Sequence, residues 1–391
     1  MRASPTLLAL MVAVPACGFN PAGSGGGGGG DGGGDDDVEA PVDPDAAVET
    51  DGPPGVDATP PDARGPGRRK AITIDPARVV GTQADFPVWV SLVDPAIGAR
   101  AANDGGDLYF TSANGNVLAH ELQRYVDAEG RVEAWVKLPT VDDDDPTRFY
   151  INYGDAAMAP PPMPASAVWT SGWNAVWHLD AASPATEPDS AGNRDATSSG
   201  GMNASDVVTA PLGRGLDFDG GNDQLAFTNS ITGGGAHTVS AWVNQRTTTT
   251  NDALVVLGNP ACNQARWFHT RFDAATAATG FYCSDWGNPG VDIQGDGWVL
   301  VHWVYDGAGA GRIYVNGAMA AGPFTYPTPP TTLGANGYIG NAPGGFGQNM
   351  GLNATLDEVR IATVARTAGW IATEHANQSA PATFYSVGPE E

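Results

Sequence analysis

The sequence predicts an all-β protein with two successive domains of the β-sandwich or jelly-roll type. Two observations predict this fold class. Short runs of alternating apolar residues recur along residues 70–391, and Gly, Asn, Asp and Pro separate them at turn positions. Helical periodicity is confined to one candidate segment at 367–376. A proline-rich stretch divides the strand-rich region in two, and this division gives the domain count.

The N-terminus has the pattern of a secretory signal. A basic residue precedes an apolar run at 7–14, which is too short for a membrane-spanning helix of about 20 residues. We therefore expect a signal peptide at residues 1–16. The four residues 14–17, Val-Pro-Ala-Cys, resemble the bacterial lipobox, and this resemblance implies lipidation of Cys17. The alternative is an ordinary signal peptide followed by an incidental cysteine.

The segment after Cys17 predicts a tether. Residues 17–69 are rich in Gly, Asp and Pro and nearly free of aromatic residues. Such a segment cannot bury enough apolar surface to offset its ordering entropy, so we expect a flexible link. Together with lipidation, it predicts an exported protein at the bacterial cell envelope that contacts the membrane through its lipid anchor only.

The charge of the chain argues against two classes of partner. There are 44 Asp and Glu residues against 19 Lys and Arg residues, a formal net charge of −25. Nucleic acid is not expected as a partner, because phosphate binding draws mainly on positive charge. Anionic lipid headgroups are disfavoured for the same reason.

The remaining cysteines, Cys262 and Cys283, are the only pair left once Cys17 is assigned to lipid. In an oxidising compartment this pair predicts a disulfide, which would contribute roughly 3 kcal/mol by closing a loop of about 20 residues. The alternative is two free buried thiols. A metal site is not expected from cysteines, because no further cysteine is available.

The first domain is predicted at residues 70–159. Apolar residues alternate at 86–92, 132–138 and 149–153, and Asn114-Gly115 predicts a tight hairpin turn. Five segments resemble the uncharacterised bacterial domain DUF2341: 70–74 (KAITI), 86–90 (FPVWV), 107–111 (DLYFT), 120–121 (HE) and 149–154 (FYINYG). The resemblance implies a β-sandwich module whose function is unknown.

A proline-rich linker at 160–167 precedes the second predicted domain, residues 168–391. Eight segments resemble the LamG type of the concanavalin A-like lectin/glucanase sandwich: 175–180 (AVWHLD), 189–193 (DSAGN), 215–220 (GLDFDG), 238–243 (TVSAWV), 302–307 (HWVYDG), 313–317 (IYVNG), 338–340 (YIG) and 356–361 (LDEVRI). Segments 368–374 and 383–388 resemble the ending typical of proteins that pair these two modules. The resemblance implies a jelly roll that binds carbohydrate.

Catalysis is not expected. The chain has no G-x-S-x-G elbow and no H-E-x-x-H pair, and only six His residues. Glucanases of the concanavalin A-like fold carry a Glu-x-Asp-x-(x)-Glu pattern on one strand, and this pattern is absent. On a regular strand, Asp357 and Glu358 would point to opposite faces, which does not suit two cooperating carboxylates.

The resemblance implies a Ca²⁺ site formed by loop oxygens. Matched by position, the candidate ligands are Asp189, Asn193 and Asp357. The alternative is that the loop acids shape turns without a metal.

Candidate sugar ligands lie around the predicted disulfide. Aromatic rings offer faces to the C–H side of a sugar, and amides bind its hydroxyls. The candidates in or beside the disulfide-closed segment are Trp267, Tyr282, Trp286, Asn263 and Asn288. Trp242 and Trp303 lie within strand patterns and are predicted to be core residues.

These observations predict a binding or adhesion protein, and not an enzyme. The leading hypothesis is that the second domain recognises a glycan or a glycosylated partner, with possible assistance from Ca²⁺. The first alternative is a structural protein that adheres through protein contacts, which burial of Trp267 and Trp286 would favour. The second is a glycoside hydrolase.

Overall fold

The computed structural model describes residues 67–246, 251–272, 276–281, 283, 290–326, 332–342 and 350–391. The predicted signal peptide, Cys17 and nearly all of the predicted tether lie outside these residues. The described part belongs to one compact unit and is built almost entirely from antiparallel strands. The predicted all-β fold class is confirmed. None of the described helices is both long and apolar enough to cross a membrane.

The first sandwich contains a three-stranded sheet in the order β2-β5-β4 and a second sheet that includes β1-β6-β3. Its strands are β1 (Arg68–Ile74), β2 (Gln83–Val93), β3 (Tyr109–Ser112), β4 (His120–Val126), β5 (Arg131–Val141) and β6 (Arg148–Tyr153). The alternating residues predicted at 86–90 and 132–138 face the core between these sheets, while Trp89 and Trp135 belong to the opposite faces of their strands. Asn114-Gly115 forms the predicted turn, with Gly115 at φ 81°.

The second sandwich packs an eight-stranded sheet on a seven-stranded sheet among the described residues. Its strands are β7 (Trp173–Trp177), β8 (Thr186–Glu187), β9 (Ala196–Ser199), β10 (Val207–Ala210), β11 (Gly213–Asp219), β12 (Gln224–Thr228), β13 (His237–Gln245), β14 (Asp252–Gly258), β15 (Ala265–Phe272), β16 (Thr276–Phe281), β17 (Trp298–Tyr305), β18 (Ala310–Val315), β19 (Ala318–Thr325), β20 (Asn336–Ile339) and β21 (Asn353–Ala362). The larger sheet runs β10-β11-β21-β13-β17-β18-β19 with β7 also paired to β21, and the other runs β16-β15-β14-β20-β12-β9-β8.

Helical structure is sparse, as predicted. The helices are α1 (Pro95–Gly98), α2 (Ala368–Ser379) and α3 (Pro381–Phe384), with 3₁₀ turns at Pro76–Arg78, Asp127–Glu129, Ala165–Ala167 and Ala204–Asp206. α2 is the helix predicted at 367–376. It begins after Thr367, whose side-chain oxygen accepts a hydrogen bond from the Trp370 N–H at 3.1 Å.

The C-terminal segment returns to the first sandwich. The last strand, β22 (Tyr385–Glu390), pairs antiparallel with β1 and completes the sheet β22-β1-β6-β3. Beside it, the Asn377 amide bonds both backbone groups of Trp89, at 2.7 and 3.0 Å, and the Tyr385 hydroxyl does the same at Ser91. These side chains cover the free edge of β2. β22 is therefore a strand of the first sandwich, although the predicted domain bounds place it in the second domain.

The two sandwiches meet through a cluster of tryptophans. Trp89 and Trp135 of the three-stranded sheet pack in one cluster with Trp242 and Leu300 of the larger sheet, and with Trp169 from the connection. The ring centroids of Trp135 and Trp169 are 5.3 Å apart. Trp242 is thus buried between the sandwiches. Trp303 lies in the core of the second sandwich, so both residues are buried as predicted.

This packing predicts that the second sandwich is unstable alone. A fragment of residues 166–391 exposes Trp242 and Leu300, which are 4% and 2% exposed in the whole chain. Each large apolar side chain returned to water costs about 1.5–3 kcal/mol. We expect the fragment to unfold at lower temperature than residues 67–391 and to self-associate in size-exclusion chromatography. A monomeric fragment with an unchanged melting temperature would contradict this packing.

Candidate functional site

A bulge in β21 shapes the junction between the sandwiches. Ser240 of β13 faces Arg360, but Trp242 faces Asp357, so β21 holds an extra residue there. Glu358 takes φ 55°, a left-handed conformation that is unusual for a side chain of its size. The regular strand expected at these residues is therefore interrupted. The bulge brings the Glu358 carboxylate to the Arg360 guanidinium, at 2.6 Å.

Arg360 is a buried cation at this junction. Its side chain is 1% exposed and forms ion pairs with Glu358 at 2.6 Å and with Glu374 of α2 at 2.8 Å. The guanidinium also lies over the ring of Trp135, 4.3 Å from its centroid, and over Trp169 at 5.0 Å. Two carboxylates and two π-faces thus compensate for the lost hydration of one charge.

Glu374 connects this cation to β17. His302 lies 3.0 Å from the Glu374 carboxylate, and both side chains are buried. Burial opposes the charge of Glu374, but the hydrogen bond with His302 and the charge of Arg360 lower its pKa to about 2. Glu374 is therefore ionised throughout the neutral range.

His178 continues the network toward the first sandwich. Its Nδ1 is 2.8 Å from Glu358, and its Nε2 is 3.3 Å from Glu121 of β4. Glu121 also accepts hydrogen bonds from Trp169 Nε1 and Ser190 Oγ, both at 2.7 Å. One imidazole thus bridges a carboxylate from each sandwich.

The charges of this bridge stabilise one another. Burial alone would lower the pKa of His178, but the carboxylates of Glu358 and Glu121 raise it well above its ordinary value. Burial opposes ionisation of Glu121 in turn, while His178 and the hydrogen bonds from Trp169 and Ser190 lower its pKa to about 2. The two carboxylates therefore favour the imidazolium form of His178.

A cleft of about 200 Å³ opens above this bridge. Glu121 and Gln123 of β4 form one side, and His178, Asp180, Glu187 and Ser190 form the other. Glu187 is 1% exposed. Burial, with a smaller contribution from the nearby Asp180 charge, raises the pKa of Glu187 to about 8. The cleft therefore contains the ionised carboxylate of Glu121 and the carboxyl group of Glu187, which is protonated at neutral pH.

Two of the predicted calcium ligands, Asp189 and Asp357, accept hydrogen bonds from backbone N–H groups in this structure. Asp189 accepts hydrogen bonds from the backbone N–H groups of Val176, Ala191 and Arg194 at 2.9–3.1 Å, which is the turn-shaping role considered as the alternative. Asp357 is fully buried and accepts from the Leu212 N–H at 2.9 Å. Asn193 is exposed.

The two predicted acidic ligands each have hydrogen-bond partners in the main chain. Asp189 accepts a hydrogen bond from Val176, which pairs with Arg360, and Asp357 accepts one from Leu212. An ion at Asp189 would displace backbone donors. Within the described ranges, the one group of three acids that converges on a point is the loop cluster Asp142, Asp143 and Asp144, and its own hydrogen bonds are those of a turn. The calcium site stays a prediction.

The predicted disulfide is confirmed. It joins Cys262, in the turn after β14, to Cys283, just beyond β16, and both residues are solvent-exposed. The alternative of two free buried thiols is wrong. Asn263 lies exposed in the same turn, at φ 59°.

The structure describes only one of the aromatic candidates beside the disulfide, Trp267. Trp267 is 3% exposed and packs with Ala253, Val256 and Met350, so its ring offers no free face for a sugar. Its role in ligand binding stays a prediction without support from its position. Tyr282, Trp286 and Asn288 lie outside the described residues.

Sequence reasoning assigned no role to Glu121, His178, Glu187 or Arg360. One signal was present, since each of two polar residues interrupts an apolar run. His178 directly follows Val176 and Trp177, and Arg360 stands between Val359 and Ile361. A buried ionisable residue needs a partner, but the partners here are distant in sequence. Only the fold brings them together.

The junction lies at the margin of a known domain type. Residues 219–372 match the family model described as the concanavalin A-like lectin/glucanases superfamily. This region is similar to a concanavalin A-like domain. It contributes Glu358 and Arg360 to the network, whereas His178 and Glu187 precede it and Glu121 belongs to the first sandwich. The family description covers glucanases as well as lectins, so the expected lack of catalysis stays a prediction.

Solved structures resemble the chain at low identity. Domain 4 of AbnA, a GH43 extracellular arabinanase from Geobacillus stearothermophilus in complex with arabinotriose, is 18% identical with a TM-score of 0.43, and the match covers 52% of this chain and 98% of that one. Trypanosoma rangeli sialidase with the inhibitor DANA is 15% identical with a TM-score of 0.36, covering 66% and 42%. The receptor-binding domain of botulinum neurotoxin D is 10% identical with a TM-score of 0.35, covering 53% of each chain. No curated protein matches.

Because Arg360 is a buried cation, we expect its removal to lower the free energy of unfolding strongly. Arg360→Met leaves Glu358 and Glu374 buried without their shared partner, and breaking such a pair costs about 3–5 kcal/mol. Urea denaturation measures the free energy of unfolding. The matched control is Arg69→Met, which removes a surface pair with Glu391 and costs about 1 kcal/mol or less. Similar losses in the two variants would show that the junction network does not hold the fold.

Glu187 predicts a pH-dependent loss of stability. Its pKa is about 8 in the fold against 4.5 ordinarily, so its contribution is complete below pH 4.5 and is lost as the pH rises through 8. The Glu187→Gln variant lacks this loss. Between pH 4.5 and 8, its free energy of unfolding should therefore rise relative to that of the wild type, by a few kcal/mol in order of magnitude. Urea denaturation along a pH series measures the difference. Glu129→Gln, at an exposed site, is the control, and parallel curves for wild type and Glu187→Gln would refute the expectation.

Proposed function

We propose that the protein is an exported, lipid-anchored surface protein whose concanavalin A-like domain binds carbohydrate. The observation that carries the proposal is the exposed disulfide at one edge of the seven-stranded sheet. It fills no part of the core, and it ties the β14–β15 turn to the end of β16. A surface cross-link of this kind holds a loop in one conformation.

The cross-linked edge is suited to directed hydrogen bonds. Asn263 stands exposed beside Cys262, and the Asn259 amide donates to the Gln264 side chain at 3.4 Å. Amides both donate and accept, as sugar hydroxyls require. Because the disulfide fixes these groups before binding, less conformational entropy is lost when a ligand binds.

The stacking surface in this proposal comes from the segment that the disulfide closes and from the residues that follow it. The predicted aromatic residues are Tyr282, inside that segment, and Trp286, just beyond Cys283, with Asn288 as a further amide beside it. Trp267 does not take part directly, because it is buried. The lipid anchor at Cys17 and the tether at 17–69 would present the domain away from the membrane surface.

A second candidate function is adhesion through protein contacts. The burial of Trp267 favours it, since this burial removes one of the aromatic faces that a sugar site would use. The two candidates differ in their ligand, and one binding experiment separates them.

A glycan array and calorimetry test the proposal on the full chain carrying Cys17→Ser, which prevents lipidation. We expect binding to at least one glycan. We expect Trp286→Ala and Asn263→Gly to weaken it by about tenfold or more, since each removes roughly 1.4 kcal/mol or more of contact. Glycine is chosen at 263 because it keeps the left-handed conformation. Asn114→Gly, at an exposed turn of the first sandwich, is the matched control.

The outcomes separate the alternatives. Absence of binding to any glycan would refute carbohydrate recognition and leave protein adhesion. Binding that neither Trp286→Ala nor Asn263→Gly alters would remove the disulfide-linked edge from the site. A parallel titration with a chelator tests the predicted assistance by Ca²⁺, and equal affinities would remove the metal.

A further inference from the structure

The cleft at the junction of the sandwiches is built from both of them. Glu121 and Gln123 come from β4 of the first sandwich, and Glu187 comes from β8 of the second. It adjoins a second cleft of about 170 Å³, which shares Gln123 and Asp180 with it. Neither sandwich alone could form it.

The floor of the cleft is hydrogen-bonded within the protein. Glu121 is held by Trp169, Ser190 and His178, and His178 is held by Glu358. These groups have their partners within the protein. They fix the shape of the cleft without needing a ligand.

Two polar atoms of the cleft have no hydrogen-bond partner among the described residues, although the Glu187 carboxyl group also accepts a hydrogen bond from the Ala181 backbone. Glu187 Oε1 and Gln123 Nε2 are both buried, and neither forms a hydrogen bond there. The Gln123 side-chain oxygen accepts from Trp135 Nε1 at 3.0 Å, which fixes the amide so that its NH₂ is the unused end. An unsatisfied buried polar group costs about 1–3 kcal/mol, so a pair of them in one cleft points to a ligand.

The chemistry of the cleft selects an uncharged ligand rich in hydroxyl groups. Three of its residues are acids, which disfavours an anion. The charge of His178 is already matched by Glu121 and Glu358, so it attracts no further negative group. An amide donor, a carboxyl group and the Asp180 carboxylate together offer donors and acceptors for several hydroxyls.

The size of the cleft limits the ligand to a small unit. Its volume of about 200 Å³ lies below the roughly 300–1,000 Å³ typical of pockets for drug-sized molecules. A single sugar ring is of the appropriate size. The adjoining cleft leaves room for a substituent beyond Gln123 and Asp180.

We propose that this cleft binds one neutral sugar residue, with Gln123 donating to it, Glu187 bonding a hydroxyl and Asp180 at the rim. This site is separate from the disulfide-linked edge and does not depend on the function proposed there. It also gives the first sandwich a part in recognition.

Calorimetry with the methyl glycosides of glucose, galactose, mannose, arabinose and N-acetylglucosamine tests the proposal. The protein is the full chain with Cys17→Ser. We expect at least one glycoside to bind. We expect Gln123→Met and Glu187→Met to weaken this binding by tenfold or more, whereas Glu187→Gln, which keeps a neutral hydrogen-bonding group, retains it within about threefold.

Two controls keep a loss of binding interpretable. Gln224→Met makes the same change on β12, outside the cleft, and leaves affinity unchanged. Glu187→Met removes a carboxyl group that burial disfavours, so it is not expected to lower the melting temperature. If Glu187→Met binds the glycoside more weakly but keeps the wild-type melting temperature, the loss of affinity is due to the cleft and not to unfolding.

Several outcomes would overturn the proposal. One is that no neutral glycoside binds, and another is that glucosamine or glucuronic acid binds in their place. Binding that survives both Gln123→Met and Glu187→Met would place the ligand elsewhere. If Trp286→Ala and Asn263→Gly abolish the binding and the cleft variants do not, the glycosides bind at the disulfide-linked edge alone.

Discussion

A single buried charge governs how the two sandwiches meet. A guanidinium without water is very costly, and Arg360 is 1% exposed. It is stable only where Glu358, Glu374 and the ring of Trp135 surround it together. Because these groups come from β21, α2 and β5, their mutual positions are fixed by the requirement to satisfy one cation.

The same requirement extends to the cleft. Glu358 binds Arg360 on one side and His178 on the other, and His178 reaches Glu121 across the junction. A change in the angle between the sandwiches would separate an imidazolium from one of its carboxylates. The walls of the cleft are therefore placed by electrostatic pairing, while the tryptophan cluster supplies the apolar contact area.

The sequence predicted what depends on local pattern. The alternation at 86–90 and 132–138 marks the inward faces of β2 and β5, and the helix after Thr367 follows from its capping residue and periodicity. The disulfide followed from the number of cysteines. These features need only neighbouring residues or a count.

The rest depends on distant pairings. Glu121 and Glu358 are linked through His178 although they lie more than two hundred residues apart, and no local signal records that. The bulge at Glu358 arises from the pairing of β21 with β13, and the burial of Trp267 arises from packing against β14. Likewise, β22 joins a sheet of the first sandwich by pairing with β1. The sequence pattern near β22 does not reveal this, because β1 lies at the other end of the described chain.

The pairing of β22 with β1 has a mechanical consequence. β1 lies between β6 and β22 and is hydrogen-bonded to both, and the backbone groups of Arg69 and Glu391 bond each other. A pull on the chain before Gly67 is directed along β1, so two ladders of hydrogen bonds resist it in shear rather than opening one after another. A force applied to the chain before Gly67 would thus first load a strand that is hydrogen-bonded along both of its edges.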